Sequence, residues 1–87
     1  MKQAGNAGTV EIDLHGMNRY QARIALDAVL RRCGSGVYRV RVIHGYHGGE
    51  ALRQLAEEYA SHPRVLRAVR SADGGQTELV LRELTDG

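Results

Sequence analysis

The stretch Val10-Glu11-Ile12-Asp13-Leu14-His15 alternates residue by residue, with Val10, Ile12 and Leu14 on one side and Glu11, Asp13 and His15 on the other. A sustained period of two specifies a strand with one dry face and one wet face. Gly16 ends it. Val37 to Ile43 alternates again, with Tyr38, Val40 and Val42 sharing one face and Arg39 and Arg41 the other. Between these stretches, Ala22, Ala25, Leu26, Val29, Leu30 and Cys33 recur at helical spacing. Two such strands joined by an amphipathic helix form a crossover unit, in which the strands lie parallel and the connection is right-handed.

The ends of the first helix are marked chemically. Asn18 reads as an N-cap, and Gln21 three residues later completes a capping-box pair. Arg31 and Arg32 suit the negative end of the helix dipole, and Gly34 reads as the C′ residue. The spacing predicts a helix over Arg19–Cys33. A second helix is predicted over Glu50–Ser61, with Leu52, Leu55, Ala56 and Tyr59 as its apolar stripe and Pro63 as its stop. Two further strands follow, Val65–Arg70 and Thr77–Leu84, joined by the hairpin signal Asp73-Gly74-Gly75.

The expected order is therefore β-α-β-α-β-β, in one domain over residues 9–84. Residues 1–8 read as a flexible lead-in, and residues 85–87 as a loose tail. Strands covered on both faces read as continuous apolar runs. These alternate instead, so the fold class expected is an α/β two-layer sandwich: a four-stranded mixed sheet, both helices on one face, the other face wet. That wet face would carry Glu11, Asp13, Arg39, Arg41, Glu78 and Arg82.

Charge and cysteine content narrow the function classes. No apolar run approaches the roughly 20 residues of a membrane span, and no signal-peptide pattern opens the chain. Cys33 is the only cysteine, so an internal disulfide is excluded and the default compartment is the reducing cytoplasm. A net charge of +2, with eleven of twelve basic residues being Arg, permits a phosphate-rich partner without requiring one.

Two constellations carry chemistry. Asp13 and His15 lie two apart at the carboxyl end of a strand, the end that ligands of open α/β sheets prefer. His44-Gly45-Tyr46-His47-Gly48-Gly49 leads from a strand into the N-terminus of the second helix, where free N–H groups and the helix dipole favour an anion. Taken singly, each has a plainer reading: a strand-terminal His shaping a turn with Asp13 paired to an Arg, and a tight strand-to-helix turn. Together, on neighbouring parallel strands, they bring imidazoles, a carboxylate and an anion-binding loop to one sheet edge, which suggests acid–base chemistry on a phosphodiester. Asp13, His15, His44 and His47 are ordinary metal ligands, yet no compact ligand spacing is present, so no cofactor or metal is indicated. Cys33 reads as a small core residue and His62 as the end of the second helix.

These residues resemble a known family. Val10-Glu11-Ile12-Asp13-Leu14-His15-Gly16, the helix opening near Asn18, Val42-Ile43-His44-Gly45 with Gly48-Gly49 and Ala51-Leu52-Arg53 beyond it, and the closing segments around His62-Pro63-Arg64-Val65 and Gly74–Leu81 look like the Smr (small MutS-related) domain. The resemblance implies a fold like the C-terminal domain of bacterial translation initiation factor three. It also implies binding to DNA or RNA, structured or branched substrates and ribosomes among the contacts, and endonuclease activity of nicking or RNA-cleaving type. No membrane partner is implied. The family's strand-end Asp and His map onto Asp13 and His15, and its second motif onto His44 and Gly45. The chain departs from that motif at His47, where the second glycine is expected, and at Tyr46, where Lys is common.

The leading expectation is a nucleic-acid-binding endonuclease. Arg39, Arg41, Arg53 and the loop Gly45, Tyr46, His47, Gly48 and Gly49 would hold phosphates. His15 and His44 would act as base and acid, with Asp13 orienting an imidazole or a water. The alternative is a non-catalytic nucleic-acid or ribosome binding module. A small-molecule phosphate enzyme fits less well, because a chain this short builds no deep pocket.

Overall fold

The computed structural model describes residues 2–6, 8–45 and 50–83, the first of these stretches by its backbone. The elements are β1 (Lys2–Asn6), β2 (Thr9–Asp13), α1 (Arg19–Arg32), β3 (Arg39–Ile43), α2 (Glu50–Glu58) with a 3₁₀ turn at Tyr59–Ser61, β4 (Arg67–Arg70) and β5 (Gln76–Val80). The sheet order is β1-β2-β3-β5-β4. β2 and β3 are parallel, and every other neighbouring pair is antiparallel.

The four expected strands are present in a mixed sheet, each shorter than its alternating run. A fifth has been added at the edge. Residues 2–6, expected as part of a flexible lead-in, instead pair antiparallel with β2, Lys2 opposite Asp13 and Asn6 opposite Thr9. Lys-Gln-Ala-Gly-Asn offers no apolar alternation, so this strand owes its form to the open edge of β2 and not to its own composition.

Register sorts the side chains into two layers. Val10, Ile12, Val40, Val42, Thr77 and Leu79 oppose one another on the face beneath the helices. Ile12, Leu14, Val40, Val42 and Leu79 join Ala22, Leu26, Val29 and Leu30 of α1 and Leu52, Leu55 and Ala56 of α2 in one buried cluster. Both helices therefore lie over one face. The opposite face carries Glu11, Asp13, Arg39, Arg41 and Glu78, all part-exposed. Val80 shares that face by register with Arg39 and Arg67 and is nonetheless buried.

The predicted cap of α1 is realised in both directions. The Asn18 side chain accepts from the Gln21 backbone N–H at 2.8 Å, and Gln21 Oε1 accepts from the Asn18 N–H at 3.1 Å. At the other end the helix closes at Cys33 in extended geometry, and Gly34 does not adopt the left-handed conformation expected of a C′ glycine. The second helix gives way to the 3₁₀ turn at Tyr59, one turn before Pro63. The Asp73-Gly74-Gly75 hairpin forms as read: Gly74 takes a φ of 79°, and Asp73 Oδ1 accepts from the Ser71 hydroxyl and the Gly75 N–H. Among the described residues no helix is long and apolar enough to cross a membrane.

Asn18→Ala removes the side-chain acceptor of the Gln21 N–H and leaves that group without its cap, while the Asn18 N–H keeps Gln21 Oε1. It should lower stability by about 1 kcal/mol and the thermal midpoint by about 4–8 °C for a domain of this size, read by far-UV circular dichroism.

Candidate functional site

The parallel ladder of β2 and β3 continues one step past the strands, with the Leu14 N–H bonded to the Ile43 carbonyl at 2.8 Å. Both chains then turn at a His-Gly pair. Gly16 and Gly45 take nearly the same left-handed φ, 82° and 83°, which a side chain would strain. The Met17 N–H returns to the Leu14 carbonyl at 3.0 Å, so His15 and Gly16 are the two central residues of a turn. Left-handed Gly16 at the second central position, after a His15 of negative φ, makes it type II. His15 thus stands on a corner. A Cβ placed on Gly45 would come 3.9 Å from the Cβ of His15, so the two corners adjoin.

Asp13 holds the His15 corner. Its Oδ1 accepts from the His15 backbone N–H at 3.0 Å and lies 2.6 Å from His15 Nδ1. An ionised carboxylate only accepts, so Nδ1 carries the proton and donates. That assigns the tautomer and leaves Nε2 with its lone pair toward solvent. The His15 side chain is 74% exposed and that of Asp13 27%, while Ile12 and Leu14 are fully buried, as the alternation required.

His44 stands differently. It follows Val40 and Val42 in the period of two, so it belongs to the face beneath the helices and is 1% exposed. Its Nε2 lies 2.9 Å from Thr77 Oγ1, and its Nδ1 3.3 Å from the Gly45 carbonyl. The carbonyl fixes Nδ1 as the donor, and the Thr77 hydroxyl donates to Nε2. Burial pushes the His44 pKa below its ordinary value. The Arg53 and Arg70 guanidiniums push the same way, against the Gly45 carbonyl and Glu57. The expectation of two imidazoles presented together is corrected here: one is exposed, and the other is buried with both ring nitrogens engaged.

The phosphate-binding candidates separate as well. Arg39 pairs with Glu78 at 2.6 Å, and Arg41 lies 3.4 Å from Glu78 and 3.5 Å from Glu11. These two guanidiniums of the wet face are shared among carboxylates. Arg53 lies in α2 close enough to act on His44, 3.5 Å from Glu50, and its buried Nε has no hydrogen-bond partner among the described residues. Tyr46, His47, Gly48 and Gly49 lie outside the described residues. Glu57 and Arg70, which sequence reasoning did not single out, pair at 2.8 Å and flank His44. The alternation of Val40, Val42 and His44 was the signal that could have placed His44 inside.

A sheet of this order with two helices on one face, and paired His-Gly corners at the carboxyl ends of its parallel strands, defines a class. The Smr domain family model matches residues 12–79, and the chain belongs to that family. The crystal structure of the Smr domain of Thermus thermophilus MutS2 superposes with a TM-score of 0.73 at 30% identity, covering 84% of this chain and 98% of that one. Comparison with curated proteins gives no match.

The neutral, depressed His44 links stability to pH. The unfolded chain takes up a proton near the ordinary value of 6.5, and the folded chain resists it. The contribution is therefore whole above about 6.5 and is lost as pH falls toward the lower folded value. Thermal midpoints should decline on acidification from about pH 7 to 5, and His44→Asn should flatten that decline. An unchanged slope in the variant would show that other groups set it.

Proposed function

We propose that this Smr domain binds nucleic acid and cleaves a phosphodiester at the His15 corner. The observation that carries the reading is the Asp13–His15 pair, whose carboxylate fixes one ring nitrogen as donor and leaves the other as an exposed base. Family membership supports it, since Smr domains bind nucleic acid and some members are nucleases.

His15 Nε2 is the general base. With RNA it takes the proton of a 2′-hydroxyl, the 2′-oxygen attacks phosphorus, and the 5′-oxygen leaves with a proton from water. With DNA the nucleophile is water: the same nitrogen takes its proton, its oxygen bonds to phosphorus, and the sugar oxygen on the opposite side leaves with a proton from solvent water. Asp13 holds the ring and stabilises the imidazolium that forms. Arg53, close enough to act on His44, is the arginine that lies beside the second corner and would hold a phosphate there. His44 is a positioning residue: through Thr77 and Gly45 it ties the end of β3 to β5 and sets the second corner against the first.

A second reading, a binding module without catalysis, rests on His47 standing where the family's second glycine is expected. Labelled RNA and supercoiled plasmid, each incubated with and without chelator, separate the two readings. Cleavage by wild type is expected, and its absence on both substrates leaves the binding module. His15→Ala should lower the rate by about 10²–10⁴ at an unchanged thermal midpoint. His44→Asn should lower rate and midpoint together. Equal cleavage per folded molecule by wild type and His15→Ala would remove His15 from the chemistry.

A further inference from the structure

α1 begins three residues after the Gly16 corner, and its outward face is unusual for a solvated helix. Tyr20 is 73% exposed and Ile24 52%. Tyr20, Ile24 and Arg31 follow at spacings of four and seven and so lie along one line, about 16 Å from end to end. Beside that line Met17, Gln21, Ile24, Ala25, Ala28 and Arg32 enclose a shallow, mainly apolar cavity of about 450 Å³. Met17 is the residue hydrogen-bonded back across the His15 turn, so one wall of the cavity adjoins that turn. The one carboxylate on this flank, Asp27, accepts from the Tyr59 hydroxyl at 2.5 Å.

The cations point the same way. Arg39 and Arg41 of the wet sheet face are held by Glu78 and Glu11. Arg19 and Arg23 pair with Glu58, Arg67 with Glu83, and Arg70 with Glu57. Arg31 and Arg32, in the last turn of α1, have no ion-pair or hydrogen-bond partner among the described residues. Apolar and aromatic surface at one end of a helix face, with unpaired guanidiniums at the other, complements an unpaired nucleic-acid strand, whose bases offer open faces and whose phosphates offer charge. A duplex hides its base faces in the stack and leaves Tyr20 and Ile24 without a partner.

We infer that the substrate is single-stranded where it leaves the His15 corner, and that it runs along the outward face of α1. A base stacks on Tyr20, another lies in the Ile24–Ala28 cavity, and phosphates meet Arg31 and Arg32. This rests on the reading of the domain as a nucleic-acid binder and adds the strandedness of the substrate and its path.

The test is fluorescence anisotropy with a labelled single strand of about 12 nucleotides and with a duplex of the same sequence, over a range of salt. Tyr20→Ala should weaken single-strand binding by about tenfold and leave duplex binding unchanged, while Tyr20→Phe, which keeps the ring, binds as wild type. The Arg31→Gln/Arg32→Gln double variant should flatten the log–log salt slope on the single strand by about 1.4, two phosphates' worth. All of these positions are exposed, and matched thermal midpoints confirm folded protein. Wild-type affinity in Tyr20→Ala overturns the path along α1 while leaving nucleic-acid binding intact. A slope carried by an Arg39→Gln/Arg41→Gln variant in place of the α1 pair places the strand on the open sheet face and also overturns it. Failure of the wild-type protein to bind either probe would remove the nucleic-acid reading itself, leaving this face to a protein partner.

Discussion

The parallel pairing of β2 and β3 is the contact on which the site depends. Antiparallel neighbours send their carboxyl ends in opposite directions, whereas parallel ones deliver them to one edge. The ladder runs through Asp13 and Ile43 and one bond further, from Leu14 to Ile43. That extra bond carries the alignment past the last strand residues to the two turns. Each turn then needs a residue of positive φ to redirect the chain into a helix, and a glycine supplies it in both places. The His-Gly repetition is thus first a solution to a backbone problem. The chemistry is decided by what each histidine meets on either side of its turn.

What each meets follows from a difference in phase. His15 continues the wet series of Glu11 and Asp13, and His44 continues the dry series of Val40 and Val42. Two histidines at equivalent strand ends therefore reach opposite sides of the sheet. The sequence contained this information, because the period of two extends to both residues. It was hidden by the resemblance of the motifs, which groups the histidines by their glycines and not by their strands. The tautomer is the same in both rings, with Nδ1 donating, but Nε2 of His15 opens to solvent and Nε2 of His44 is taken by a hydroxyl.

The features that were legible are those set by local chemistry. Alternation gave the strands, helical spacing gave the core faces of α1 and α2, and the Asn18–Gln21 pair and the Asp73-Gly74 turn formed as their residue types required. The features that were not legible depend on distant partners. β1 has no strand-like composition and exists because β2 has a free edge. Arg39 and Arg41 read as phosphate contacts on a face shared with Glu11 and Glu78, and the linear order does not say that Glu78 and Glu11 lie directly across the ladder from Arg41. An alternating Arg on a wet face is ambiguous until its cross-strand neighbours are known, and the formal charge of the chain cannot resolve it.

His44 and Thr77 are the two polar residues buried among those described, and each satisfies the other. A buried polar pair of this kind stabilises little in net terms, since both groups had water before folding. Its asymmetry is what matters: removing one member strands the other, at about 1–3 kcal/mol, while an apolar exchange of both could be nearly neutral. A core requiring only stability could therefore hold two apolar residues here, next to Val42, which pairs in register with Thr77. The hydrogen bonds fix something else: the rotation of the imidazole, and with it the Gly45 carbonyl that the ring's other nitrogen holds. Gly45 is the residue that abuts His15. A buried hydroxyl on β5 is in this way connected, through one ring and one carbonyl, to the exposed corner where Asp13 holds the His15 ring.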